Sequence, residues 1–179
     1  DESAQEKQLE RELNQLKENV LYVQKLAQIG SWTYDIKNGQ IFWTEGLSNI
    51  LGYRLDSLGH KLENFYSHVH PEDLETLKEA LQGTLEGKGY DIVYRIKTSD
   101  GIEKYLRDKA TVIFDENKDP VKAIGVIQDI TEIKLLENNL RAIGENLHHA
   151  QRVAGVGSFK YDVLRNEIYC SEEMYSIFG

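Results

Sequence analysis

The sequence predicts an α+β fold: an antiparallel sheet with helices on one face, flanked by amphipathic coiled-coil helices. Three observations predict it. Apolar residues recur at heptad spacing near the N-terminus and again after residue 131, the pattern of helices that pair with other helices. Between these seams lie two alternating stretches, a helical stretch and three more alternating stretches, so two strands and several helices precede a three-strand meander. The chain also writes the opening part of this domain twice.

The first copy contains Gly30-Ser31-Trp32-Thr33-Tyr34-Asp35, Asn38-Gly39-Gln40-Ile41, Glu45 and Ile50 to Gly52. The second contains Gly157-Ser158-Phe159-Lys160-Tyr161-Asp162, Asn166-Glu167-Ile168, Glu172 and Ile177 to Gly179. The offset is 127 residues at both ends (157 − 30 and 179 − 52). Like-for-like changes such as Trp32/Phe159, Phe42/Tyr169 and Leu47/Met174 keep the same register. A repeat this long is a duplicated domain rather than a solenoid unit. The expected division is an N-terminal coiled-coil or cap helix at 1–28, a complete domain at 29–131, a coiled-coil linker helix at 132–155 and the start of a second, truncated domain at 156–179.

Taken in order, Leu9, Leu13, Leu16, Val20, Val23 and Ala27 form the first seam. The second half of that helix could equally lie on its own domain. Gly30 is expected to end it, since glycine tolerates the left-handed conformation. Trp32, Tyr34 and Ile36 alternate along the first strand, Asn38-Gly39 marks a hairpin, and Gln40 to Thr44 returns. Glu45 to Leu51 is a short helix closed by Gly52. His70-Pro71-Glu72-Asp73 reads as the start of a long helix built on Leu74, Leu77, Leu81 and Leu85. Tyr90 to Lys97, Tyr105 to Phe114 and Val121 to Ile130 are the meander strands. Parity places Arg95 opposite Tyr94 and Ile124 with Val126 opposite Ile127, while the faces of Tyr105 to Phe114 stay unassigned because both alternations carry apolar residues. Ile124 and Val126 imply a cover, the N-terminal helix or a second chain.

Ile133, Leu136, Leu140, Ile143, Leu147, Ala150 and Ala154 form the second seam. Moved by the repeat offset, Leu13 falls on Leu140, Leu16 on Ile143 and Val20 on Leu147. Both helices therefore reach the domain that follows them in one phase. That agreement points to homodimers formed through Leu13, Leu16, Val20, Ile133, Leu136, Leu140, Ile143 and Leu147.

Composition narrows the class. Charged residues make up 28% and hydrophobic ones 40%, as in an ordinary soluble protein. The net charge of −9 argues against nucleic acid or an anionic membrane as partner. The single cysteine, Cys170, rules out an intrachain disulfide framework and fits a reducing compartment. No apolar run approaches the roughly twenty residues of a membrane span. The expected location is cytoplasmic. A chain that stops inside a repeat reads as part of a longer parent, which leaves a membrane tether open.

The whole of 28–132 resembles a PAS domain of the kind found in bacterial and archaeal sensor kinases and cyclases. The match rests on Gly30-Ser31-Trp32, Ile41-Phe42-Trp43-Thr44-Glu45, Ile50-Leu51-Gly52-Tyr53, Val69-His70-Pro71-Glu72-Asp73, Tyr94-Arg95-Ile96, Asp100-Gly101 and Gly125 to Thr131. The resemblance implies a five-stranded antiparallel sheet cupping a small cavity, with flanking helices that carry a signal to a C-terminal effector domain of the parent.

It also implies where a small-molecule ligand would sit: among Phe65, Tyr66 and Leu77 of the helices and Tyr94 and Ile127 of the sheet. The same residues, packed as core, would leave a ligand-free interaction scaffold. Arg95 and Arg107 are the nearest cations that could meet an acidic ligand. At the last strand's end, Asp129, Ile130, Thr131 and Glu132 make the expected relay, with Thr131 as helix cap and Asp129 to Glu132 at capping-box spacing.

Cofactor chemistry finds little support. The light-sensing flavin branch needs a cysteine in the central helices and a glutamine on the last strand. Cys170 stands elsewhere, and Ile127 holds the glutamine position, with Gln128 on the other face. A photoadduct is rejected. Haem is disfavoured, because no histidine lies between Leu74 and Glu86; non-covalent flavin is disfavoured too, and the cofactor stays unknown. No cluster has metal-ligand spacing. His148-His149 lacks the acidic residue and proline that follow a kinase phosphoacceptor, and no catalytic motif is present. The truncated second copy, rich in Phe159, Tyr161, Val163, Ile168, Tyr169, Ile177 and Phe178, is expected either to pack onto another chain or to be poorly ordered.

Overall fold

The computed structural model describes residues 2–178. The chain divides into two compact units, one ending at Thr131 and one beginning at Glu132. In the first, α1 (Glu2–Leu26) leads into the hairpin β1 (Ile29–Asp35) and β2 (Gln40–Trp43). Four helices follow, α2 (Glu45–Leu51), α3 (Leu55–Leu58), α4 (Leu62–Tyr66) and α5 (Leu74–Leu85). The meander β3 (Tyr90–Lys97), β4 (Glu103–Phe114) and β5 (Pro120–Asp129) completes the unit. The sheet order is β2-β1-β5-β4-β3, antiparallel throughout. The central strand is thus the last one made, so the hairpin that opens the domain and the meander that closes it must meet at β5.

Alternation decides which side of each strand is buried. Trp32, Ile41, Tyr94, Ile96, Leu106, Ala110, Ala123 and Ile127 turn inward and meet Leu47, Leu51, Phe65, Leu77 and Leu81 from the helices in one core. Gly125 pairs directly with Trp32 across β1 and β5. A Cβ there would collide with the indole ring, so the missing side chain is what seats the tryptophan.

Two expectations of local structure are corrected. Gly30 does not end α1; the helix stops at Leu26, and Gln28 takes the positive φ of 53°. Gly30 lies inside β1, where a Cβ would stand 2.5 Å from the backbone nitrogen of Leu47. It is glycine because α2 packs on the strand there. Pro71 and Glu72 likewise fall in a turn before α5, which begins at Leu74. The Asp73 carboxylate makes no cap and instead grips Arg95 of β3.

In the second unit, α6 (Thr131–Ala154) precedes a hairpin of β6 (Phe159–Asp162) and β7 (Glu167–Cys170), then α7 (Glu172–Phe178). The hairpin repeats the pairing of the first copy: Trp32 opposite Trp43 becomes Phe159 opposite Cys170. Asn166 takes φ of 55°, where Gly39 has 66°. Local turn chemistry is enough to set this hairpin. Its apolar residues remain open to solvent, Phe159 at 67% and Ile168 at 64%, whereas Trp32 and Ile41 are at 2% and 1%.

Candidate functional site

The five residues expected around a ligand come together over the sheet. Phe65, Leu77, Tyr94 and Ile127 are all buried in the core, with Tyr66 packed at its margin. Phe65 meets Tyr94 edge to face at 6.2 Å and Trp43 at 5.2 Å. These side chains pack together as part of the core. The space beside them is a groove of about 260 Å³ between β1 and α5, lined by Tyr34, Leu62, Tyr66, Lys78, Leu81 and Gln82. Lys78 hangs over the Tyr66 ring, 5.9 Å from its centroid, and burial raises the Tyr66 phenol above its ordinary range.

Sequence reasoning missed the most polar feature of the interior. Asp108 of β4 lies on the inward face, 2% exposed, between Leu106 and Ala110. Its Oδ1 accepts the indole N–H of Trp32 at 3.1 Å. Its Oδ2 accepts the hydroxyls of Tyr90 at 3.1 Å and Tyr94 at 3.2 Å. Burial lifts the carboxyl to about 7, the three donors only partly opposing it. Tyr90 and Tyr94 are themselves raised, first by burial and then by the neighbouring carboxylate. Trp32 and Tyr90 stack at 6.4 Å, closing the cluster. The available signal was the run Leu106, Asp108, Ala110, an acid at the centre of a small-and-apolar face.

The second constellation is the exit of the domain. The Asp129 Oδ1 accepts both the backbone N–H (3.0 Å) and the hydroxyl (2.6 Å) of Thr131, and the Thr131 hydroxyl in turn accepts the N–H of Tyr105 at 3.0 Å. Lys104 reaches the Asp129 Oδ2 at 2.9 Å and the carbonyl of Ile50, near the end of α2, at 3.0 Å. The backbone N–H of Asp129 bonds the carbonyl of Gln28 at 3.0 Å, and Ile130 is buried. Burial opposes the Asp129 charge, but the bonds from Thr131 and Lys104 outweigh it and hold the carboxyl below its usual range. Asp129 to Thr131, the end of the first unit, is thus tied to β4, to α2 and to Gln28, two residues past α1. The expected capping box is corrected: Asp129 bonds Thr131, not Glu132, which is exposed. Lys104 is the member that spacing did not reveal.

The candidate cations turn away from the cup. Arg95 is bound by Asp73 and Glu72 at 2.8 Å each, and Arg107 by Asp91. All eight seam residues are exposed, from Val20 at 48% to Ile143 at 63%, and no residue of α6 is buried. Ile124 and Val126 stay partly exposed on the outer face, so α1 does not cover them. Cys170, the single cysteine of the sequence, ends β7 in the second unit, so α2 to α5 carry no thiol for a cysteinyl flavin adduct. No group of three or more metal-ligating side chains occurs among the described residues. No described helix is long and apolar enough to cross a membrane.

This cup, sheet order and exit define the PAS fold. Residues 40–127 match the family model described as the PAS fold, and the first unit has that fold. Among curated proteins, the chain is similar to a blue-light-activated histidine kinase of Brucella ovis, 29% identical over 175 residues, which is 97% of this chain and 35% of the relative. It is also similar to the sensor protein FixL of Bradyrhizobium diazoefficiens, 28% identical over 114 residues, 63% of this chain and 22% of that one. The chain therefore spans about a third or less of the curated relatives it matches. Among solved structures it is similar to a sensory box histidine kinase/response regulator from Burkholderia thailandensis, at 27% identity and a TM-score of 0.56, over 69% of this chain and 92% of that one. An N-terminal domain of a diguanylate cyclase from Marinobacter aquaeolei, at 21% identity and a TM-score of 0.55 over 59% and 98%, shares the fold.

Proposed function

We propose that the chain is the sensory and dimerisation module of a signal-transduction protein, itself non-catalytic. In this reading a small molecule or partner acting at the cup shifts the pairing of α6, which drives a C-terminal effector of kinase or cyclase type. The observation that carries it is the exit joint. Asp129, Thr131 and Lys104 fasten the first turn of α6 to β4 and α2, and beyond that joint α6 presents an uncovered heptad seam. A movement of the sheet or of α2 then reaches the helix through bonded contacts. The kinase relatives support an effector of that type. The second unit we read as the start of another PAS domain, whose open hairpin face calls for the cover that β3 to β5 and α5 give the first.

The packing favours a second reading, a ligand-free interaction scaffold, since Phe65, Leu77, Tyr94 and Ile127 are all buried in one apolar core. Native mass spectrometry and a visible spectrum of purified protein, followed by melting with candidate metabolites, separate the two. A ligand of the native state raises the melting temperature. The sensory reading predicts a retained or titratable compound, and a flat response across a broad set supports the scaffold.

A further inference from the structure

We propose that Asp108 is a proton-binding site inside the cup, so that the domain has two internal arrangements set by pH. The inference stands on geometry. One carboxyl on the inward face of β4 gathers donors from β1 (Trp32), two strands away across β5, and from the neighbouring edge strand β3 (Tyr90, Tyr94). No cation faces it. On its own face of β4, Lys104 is committed to Asp129. Arg107 and Lys109 of β4, Asp91 and Arg95 of β3, and Lys122 of β5 lie on the other face or in solvent. Asp35 of β1 is engaged by Asn38, and Glu63 of α4 and Glu75, Lys78 and Glu79 of α5 stand outside the core. Across the sheet Asp108 pairs with Ile127, and the core residues Leu77 and Leu81 and the buried Thr84, whose hydroxyl donates to the Leu81 carbonyl, bring no charge to this interior. The charge is therefore balanced by three hydrogen bonds alone, and the buried carboxyl is held at about 7.

The two states differ in bond direction. Ionised, Asp108 accepts from all three donors. Protonated, Oδ2 becomes a donor while Oδ1 keeps the indole, and the only acceptors at hand are the phenol oxygens of Tyr90 and Tyr94. Tyr94 is 1% exposed and its proton has nowhere else to go. Tyr90 is half-buried and close enough to Tyr66, at the groove, for the two phenols to influence each other. Tyr90 is the group that turns. Protonation turns its O–H away from the carboxyl so that its oxygen accepts the new proton's hydrogen bond, and a neutral tie from β3 replaces the charge-assisted one. The proposal needs no ligand in the cup.

The test is pH-difference infrared spectroscopy of the whole chain, following the carbonyl band of an un-ionised, buried carboxylic acid, together with near-ultraviolet circular dichroism of the aromatic cluster. The band should half-disappear near neutral pH, in step with the dichroism, and should be missing in Asp108→Asn. Tyr90→Phe removes a donor that favours the ionised form, so the midpoint should move upward. That variant keeps the test decisive if Asp108→Asn does not fold. A band confined to pH below about 5, where solvated carboxyls titrate, would overturn the proposal. So would a band that survives in Asp108→Asn, or a midpoint indifferent to Tyr90→Phe.

Discussion

At the scale of single residues, two carboxylates with opposite environments set the pH response. Asp108 is raised from 3.8 to about 7 by burial. Its contribution to stability is therefore full below about pH 4 and is lost as pH rises through about 7, a change of about 4 kcal/mol for this group alone. Asp129 and Asp73 are held low, Asp73 chiefly by its hydrogen bond from Arg95, so theirs is present at neutral pH and lost in acid. Denaturant unfolding should give a stability maximum on the acid side of neutrality, and Asp108→Asn should flatten the slope between the maximum and neutral pH. Replacing Lys104 by Met leaves the part-buried Asp129 with one partner fewer, and should cost about 1–3 kcal/mol while raising the Asp129 carboxyl toward its ordinary value, as carboxyl NMR would show. Lys104 and Asp108 were not legible in the sequence for one physical reason. Both alternations of β4 mix charge with apolar residues, Lys104, Leu106, Asp108 and Ala110 against Arg107, Lys109, Thr111 and Ile113. The donors that select the inward face lie 76, 18 and 14 residues away in the chain, beyond any local pattern.

At the scale of elements, what the sequence made legible was what local chemistry controls. The Asn38-Gly39 and Asn166 turns, the alternation of β3 and β5, and the helix on Leu77 and Leu81 all form where periodicity places them. Arg95 faces away from Tyr94, as parity requires. Gly30 and Pro71 were misread because both look like helix punctuation, whereas tertiary contacts decide their roles. Leu47 of α2 presses on Gly30, and Arg95 draws Asp73 out of a capping role. Gly125→Ala offers a check on this kind of contact. Its methyl group must displace the Trp32 indole, so a loss of about 1–3 kcal/mol or more is expected from overpacking, read from the denaturation midpoint, together with a shift of the Trp32 dichroism. An unaltered midpoint would mean that the indole is not seated against that glycine.

At the scale of the whole molecule, the first unit has the PAS fold with its inward face buried, and the second presents the same hairpin with its apolar side uncovered. The repeat explains the likeness of the two hairpins. It also puts Leu13 and Leu140, Leu16 and Ile143, Val20 and Leu147 in matching positions on the helices that precede them, all exposed. Matching phase is what a module needs if helix pairing is the quantity passed from one domain to the next. The most direct measurement is sedimentation equilibrium of the wild-type chain beside Leu136→Asp with Leu140→Asp, with thermal melting of both to establish that the first unit stays folded. The account predicts a dimer for the wild type and a monomer for the double variant, at an unchanged melting temperature of the first unit. A monomeric wild type, or a double variant with the wild-type mass, would contradict it.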